Sequence, residues 1–386
     1  MNEEISRKIS EINELLINHV EKSNDMTLSL MLGLPGIMLY LNYSNVSYGD
    51  SIALTFNNLL QNGVEELSYC NGKIGLGFFL NNQDLDIEEY LKKKDTFIYK
   101  NTVLSIRVNH DFLHGGIGAI LYLADRVSNN INVKKYLNEI VYELYKESKK
   151  GKKGIYWEEN EFYLEYGEKK EDIVNLSLSH GMAGKIVVFS KLLRSGINDS
   201  FMRKLLMESV DFLLNSKNEN VEKSVFPHRL VRNNSNSFTR LAWCYGDLGI
   251  SIALWQAGEA MNNDGIKKES IEICLETTKR KNKEDTGVVD AGICHGSAGI
   301  AHIYNRMYRY TGRKEFKQAA NYWVEETLKM AKFDDGLAGY KVFHEQKHGG
   351  WKNEYGLLEG IAGIGLVLLS HISDVEPSWD RCLLLS

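Results

Sequence analysis

Two cysteines and a histidine, at matching places in a repeated motif, are the residues of this chain best suited to chemistry. Cys244 precedes Tyr245 and Gly246, and Cys294 precedes His295 and Gly296. Each cysteine stands two residues before the first glycine of a Gly-x-x-Gly motif. If the repeats superpose, both fall in equivalent places on neighbouring helices. Two thiolates and an imidazole suit zinc. Three protein ligands leave the fourth tetrahedral position open, which is the catalytic rather than the structural pattern. Mid-helix, Cys294 and His295 would diverge by about 100°. At a loop-to-helix junction beside Gly296 both can reach one ion, and a helix N-terminus favours thiolate. Against this stands the usual fate of a free cysteine, a small buried hydrophobe. Cys70 shares the register but lies in the second repeat, so a core role fits it better than ligation.

His180, in Ser-His-Gly-Met-Ala-Gly (179–184), has the register of His295. It reads as a general acid or base, or as a histidine lining the mouth without a role. Asp111 lies one turn before Gly115 and is placed to pair with His180, or else to cap a helix. Arg240 stands four residues before Cys244; the plain alternative is a surface arginine. His114, His302, His344 and His348 show no partner pattern and read as structural or solvent-facing.

The elements that must position these side chains follow from the motif. Gly-x-x-Gly with an apolar run occurs at Gly33/Gly36, Gly72/Gly75, Gly115/Gly118, Gly181/Gly184, Gly246/Gly249, Gly296/Gly299 and Gly360/Gly363. First glycines are 39, 43, 66, 65, 50 and 64 residues apart, enough for two helices per repeat. A motif returning at such intervals marks a repeat architecture. Apolar runs follow most of the motifs, as in 119–127 and 250–261. Amphipathic segments with apolar spacing near 3.6 lie between them, as in 133–149, 201–215, 268–281 and 314–330. The expected fold is all-α, an α/α toroid of seven helix pairs with apolar helices inside and amphipathic ones outside. The last repeat is as apolar as the middle ones, so repeat seven should close onto repeat one rather than cap an open solenoid. The chain then reads as one domain, residues 1–386. Two stretches, 150–175 and 218–239, are not clearly helical. With Tyr156-Trp157, Phe162-Tyr163-Leu164, Asn233, Asn234 and Asn236, they read as loops or short strands over the mouth, either functional or plain surface connections.

Composition narrows the class. The chain has 386 residues, 43% hydrophobic and 25% charged, enough for a large core. Only 3 prolines against 33 glycines favour helices with tight junctions. A net charge of -5 offers nothing to nucleic acid. Residues 1–24 read as an amphipathic helix, not a signal peptide. The longest apolar stretch, 28–41, is broken by Gly33, Pro35 and Gly36 and is too short to span a membrane. A cytoplasmic location is expected, with the 5 cysteines reduced.

Four segments carry a resemblance: Ser-His-Gly-Met-Ala-Gly (179–184), Trp-Cys-Tyr-Gly-Asp-Leu-Gly (243–249), Cys-His-Gly-Ser-Ala-Gly (294–299) and Leu-Leu-Glu-Gly-Ile-Ala-Gly (357–363). The chain resembles the lanthionine synthetase C-like family over nearly its whole length, in the form of the stand-alone lantibiotic cyclases that act after a separate dehydratase. The resemblance implies an α/α toroid with one zinc, held by Cys244, Cys294 and His295. It implies His180 as the catalytic histidine, with Asp111, Arg240 and Tyr245 at the other active-site positions. The Asp111 segment, His-Asp-Phe-Leu-His-Gly (110–115), departs from the family pattern at His114. A small β-rich insertion is also implied, and no segment marks its place.

The implied reaction adds a cysteine thiol of a dehydrated peptide to dehydroalanine or dehydrobutyrine, closing a thioether ring. Only thiolate attacks, and zinc strips the thiol proton. The enolate formed needs a proton at its α-carbon, for which His180, tuned by Asp111, is the candidate donor. Arg240 or Tyr245 is the candidate stabiliser of the enolate oxygen. Implied partners are a dehydrated precursor peptide with its leader, and a dehydratase–exporter complex through which the chain could associate peripherally with a membrane. Two other readings stay open: addition of a small thiol such as glutathione to dehydroamino acids, and a non-catalytic peptide-binding scaffold.

Overall fold

The computed structural model describes residues 1–23, 25–46, 49–159, 173–219, 224–231, 238–345 and 349–386. Phe162, Tyr163, Leu164, Asn233, Asn234, Asn236 and His348, singled out above, lie outside the described residues. A helix follows each of the seven motifs: Leu34–Tyr43, Lys73–Asn81, Gly116–Asp125, Met182–Arg194, Asp247–Met261, Ser297–Thr311 and Ile361–Ile372. These are buried nearly all round; in Gly116–Asp125 every residue from Gly116 to Ala124 is buried. Seven further helices alternate with them among the described residues: Asn2–Lys22, Asp50–Asn62, Glu88–Ser105, Val133–Lys146, Asp199–Leu214, Asp264–Thr277 and Lys314–Lys329. They bury one stripe each, as Val133, Leu137, Ile140, Val141 and Leu144 do in Val133–Lys146. Packing of that stripe, more than propensity, holds such a helix in place. Truncating one of its leucines to alanine should cost about 2–5 kcal/mol.

The glycines explain the junctions. At Gly299 and Gly363, a Cβ would collide with the carbonyl oxygens of Ile293 and Leu357, so the incoming loop lies directly on the new helix. Gly246 has φ of 93°, a region that favours glycine.

The described residues divide into two compact units. The first comprises residues 1–66, 70–72 and 282–386. In it, helix Ile361–Ile372 packs on Asn2–Lys22, Leu34–Tyr43 and Ser297–Thr311. Repeat seven therefore lies against repeat one, as its apolar character demanded. The second unit comprises residues 67–69 and 73–281. Inside it, buried Arg126 bonds Asp95 and Glu88, tying Gly116–Asp125 to Glu88–Ser105.

A backbone hydrogen-bond pattern sets the register within each unit. The residue two before the first glycine donates its N–H to its counterpart in the next repeat. Met31 donates to Cys70 O (3.3 Å), Cys294 to Leu358 O (3.0 Å) and Leu358 to Met31 O (3.0 Å) in the first unit. Ser179 donates to Cys244 O (3.3 Å) in the second. The equivalence read from the motif is thus a physical contact.

Strand content is small among the described residues. Three two-stranded antiparallel ladders pair Lys149–Lys150 with Ile155–Tyr156, Ile173–Asn175 with Arg229–Val231, and Val342–Phe343 with Trp351–Lys352. Two of them fall in the stretches 150–175 and 218–239. No helix is long and apolar enough to cross a membrane.

Candidate active site and metal centre

In the second unit, the loops before the inner helices share a turn. Ser177 Oγ accepts the His180 N–H (3.1 Å). Asp111 occupies the same place, four residues before the first glycine, and its Oδ1 accepts the His114 N–H (2.6 Å). A serine has one oxygen to give. The aspartate keeps a second, and His180 Nδ1 donates to that Oδ2 at 2.7 Å. Asp111 is therefore both a turn cap and the partner of His180, two readings that the sequence offered as alternatives. Burial works against the Asp111 carboxylate, but His180 and the His114 N–H hold it below its ordinary range. Burial likewise opposes an imidazolium at His180, yet Asp111 wins and the net shift is upward. With Nδ1 committed to Asp111, Nε2 is the ring atom left for proton transfer.

Around this pair stand residues the sequence reading expected and others it missed. The Tyr245 ring lies 5.8 Å from that of His180, and burial raises its hydroxyl well above the ordinary range. Arg240 is exposed, and its charge is felt by His228, whose ring packs edge-on against Tyr245 at 4.4 Å. His114, read as structural or solvent-facing, stacks parallel to His180 at 6.4 Å. Glu159, Asn175 and Lys185 were not singled out at all. Asn175 Nδ2 donates to Glu159 Oε2 (2.9 Å), and its own Oδ1 accepts the Ser177 N–H.

In the first unit, Cys294, His295 and Glu359 each offer one ligand atom, and these atoms lie within 4.8 Å of one another. The loop before Gly296 sets them up. The N–H groups of Ile293 and Cys294 both donate to Leu358 O, which brings the next residue, Glu359, alongside. Asp290 is fully buried and fixes the histidine. Its Oδ1 accepts the Gly292 N–H (3.1 Å), its Oδ2 accepts the Phe343 N–H (3.0 Å), and Oδ2 faces His295 Nε2 at 3.4 Å. Burial alone would raise the Asp290 carboxyl, but His295 and the two N–H groups hold it below the usual range. A carboxylate on the outer ring nitrogen is the usual support of a metal-ligating imidazole. Thiolate, imidazole and carboxylate together form a donor set that suits zinc, so the residues present fit such an ion. Glu359 was quoted above only as part of a motif, and His344 Nε2 sits 3.8 Å from it.

One signal was available and unused. Asn109, Asn175 and Asp290 all stand six residues before a first glycine, and each accepts the N–H two residues on. That is an Asx turn, and it marks Asn175 and Asp290 as junction residues.

Cys244 is buried, in the second unit, at the register of Cys294. Burial pushes the Cys274 thiol up to about 12 and raises that of Cys382 further. His302 Nε2 donates to buried Asp380 (2.7 Å), which also holds Arg306.

The model of lanthionine synthetase C-like proteins matches residues 24–384. The nisin biosynthesis protein NisC of Lactococcus lactis subsp. lactis is 27% identical over 225 residues, covering 55% of this chain and 48% of that protein. The chain thus spans about half the length of the curated relative it matches. A solved nisin cyclase aligns over 99% of this chain and 96% of its own, with a TM-score of 0.76 and 19% identity. At that identity the likeness shows the fold, all-α helix pairs of the α/α toroid class.

Proposed function

The chain belongs to the lanthionine synthetase C-like family, and from that premise we propose that it is a zinc-dependent lanthipeptide cyclase. Its reaction adds a cysteine thiol of a dehydrated peptide across the double bond of dehydroalanine or dehydrobutyrine. The whole chain is taken as one domain, since the family match crosses both units. Cys244, Cys294 and His295 are the proposed zinc ligands, with His295 oriented by Asp290 at Nε2 so that Nδ1 ligates. A zinc ion there would draw the proton from an incoming thiol and hold the sulfur as nucleophile. The convergence of Cys294 and His295, with buried Asp290 on the imidazole, is the observation that supports this reading most.

The rest of the step falls to the second set of residues. As sulfur bonds to the β-carbon, the π pair moves toward the carbonyl and makes an enolate. His180, whose proton affinity Asp111 raises against the opposing effect of burial, is the donor to the α-carbon through Nε2. The thiol proton lost and the proton gained balance, so the product is an isomer of the substrate. Tyr245 keeps its proton and can donate to the enolate oxygen; Arg240 supplies positive charge at the same edge. The substrate is a precursor peptide already dehydrated, which calls for a dehydratase acting first. Export partners and a cytoplasmic setting belong to the same reading.

Ring closure leaves peptide mass unchanged, so the test counts thiols. The full chain loaded with zinc should remove the alkylatable thiol of a synthetic peptide carrying one dehydroalanine and one cysteine, with no glutathione present. Cys244→Ala should fold and leave the thiol intact. A peptide that keeps its thiol and gains the mass of glutathione when glutathione is added, or undiminished thiol loss in Cys244→Ala, would contradict the proposal.

A further inference from the structure

Two buried ionisable side chains behind the Asp111–His180 pair have no part in the scheme above. Helix Met182–Arg194 is capped by Gly181. His180 precedes the cap and Lys185 is the fourth residue inside, positions whose side chains meet at a helix start. Lys185 is only 2% exposed. Among the described residues it makes no side-chain hydrogen bond or close ion pair. Burial lowers its ammonium to about 8, while Asp111 and Glu159 act in the opposite direction. Glu159 is 3% exposed; its Oε2 accepts from Asn175, and its Oε1 is buried without a hydrogen-bond partner. Burial raises the Glu159 carboxyl, with Asn175 and Lys185 opposing. Asn175 in turn engages the Tyr245 hydroxyl.

Charge accounting makes the lysine necessary. Two carboxylates and one imidazole share a space nearly closed to water. If His180 hands its proton to substrate, two negative charges remain with nothing to balance them, and a buried charge without a counter-charge is strongly disfavoured. The neighbouring elements offer little else. Asp125, on Gly116–Asp125, pairs with Lys191 at the far end of the helix. Asp247, on Asp247–Met261, is bound by the Val225 and Phe226 N–H groups and faces Arg280. On Asp199–Leu214, Arg203 pairs with Asp199 and Lys204 with Glu208. Of the other basic groups near the site, His114 stacks on His180, and Arg229 and Arg240 act on His228 beside Tyr245.

We propose that Lys185 and Glu159 are positioning residues of the ring-closing site. Lys185 supplies the counter-charge that lets Asp111 and Glu159 both stay ionised, and Glu159 fixes Asn175 and through it Tyr245. Only the kinetic part of the test rests on the cyclase reading.

The first readout needs no substrate. In the zinc-loaded full chain labelled with ¹³C at lysine Cε, one signal should titrate near 8 and vanish in Lys185→Arg; Lys94→Arg identifies the other lysine that burial lowers to about 8. Glu159→Gln removes a negative neighbour and should lower the Lys185 midpoint by about one unit. A Lys185 signal moving with the surface lysines, or unshifted in Glu159→Gln, overturns the proposal. In the second readout, with the dehydroalanine–cysteine peptide, Lys185→Met should lose about tenfold or more in kcat with KM nearly unchanged, while Lys185→Arg keeps most of the rate. Lys185→Met with unchanged kcat overturns it too. Should Lys185→Met fail to fold, Lys185→Arg and Glu159→Gln still decide through the titration. A wild type that closes no ring, with the titration as expected, contradicts the cyclase reading and leaves the buried pair standing.

Discussion

His180 and His295 occupy the same place in two repeats, one residue before a first glycine, yet their surroundings give them opposite duties. His180 meets Asp111 through Nδ1, and the pair sits among Tyr245, Glu159 and Lys185. His295 meets Asp290 through Nε2 and has Cys294 and Glu359 beside it. The aspartates come from different registers. Asp111 stands four residues before a glycine, in the repeat that precedes its histidine's, and Asp290 stands six before a glycine in the histidine's own loop. A partner on Nδ1 leaves Nε2 to carry a proton; a partner on Nε2 leaves Nδ1 to bind an ion. In the proposed reaction, one repeated junction serves two chemistries through the placement of a carboxylate.

That contrast can be broken by exchange experiments. The largest effect is expected from His180→Ala, which should lower kcat by about 10²–10⁴-fold while the protein still binds one zinc per chain by elemental analysis. Loss of zinc in this variant would erase the distinction. Asp111→Asn should slow ring closure somewhat less, and it should move the pH profile. The carboxylate holds the His180 proton above the ordinary 6.5, so activity that needs imidazolium persists above that pH and falls as pH rises through the raised value. Without it the largest opposing influence on the burial that lowers the value is gone, leaving only the charges of Cys244 and Glu159 against it, so the basic limb should move to lower pH. The same pair stabilises the fold below the ordinary histidine range, and that contribution fades as pH rises; thermal melts from pH 5 to 9 should show it.

Asp290→Asn should act on the other junction. Zinc affinity, measured by competition with a chelator, should fall about 10–100-fold while the basic limb stays in place. A shifted limb with unchanged affinity would assign Asp290 to the proton-transfer side. The smallest effect is expected from Cys70→Ala. It shares the register of Cys294 but is buried in the first unit with its carbonyl engaged by Met31, so zinc content and rate should hold.

Much of this was legible in the sequence, for a physical reason. Gly-x-x-Gly is a steric requirement of a loop folding back onto its own helix, so each junction announces itself by number. Apolar and amphipathic runs marked most of the inner and several of the outer helices, because the two kinds meet different solvents. The pairing of Asp111 with His180 could be anticipated because neighbouring repeats bring the loops before their inner helices side by side. Lys185 stayed hidden because a lysine in an apolar run looks like a residue reaching for solvent. Glu159 and Asn175 lie in a stretch without periodicity, where only three-dimensional contact reveals a role. Glu359 lay in a quoted motif, but a carboxylate beside an inner helix carries no metal signal until Cys294 and His295 are seen next to it.

The central claim is that one zinc is held by two sulfurs from different repeats. X-ray absorption at the zinc edge of the loaded full chain tests it most directly. The account predicts two sulfur scatterers at about 2.3 Å with one nitrogen near 2.0–2.1 Å, falling to one sulfur in Cys244→Ala. A wild-type spectrum with a single sulfur and an added oxygen, unchanged in Cys244→Ala, would place Glu359 rather than Cys244 on the metal and contradict the account.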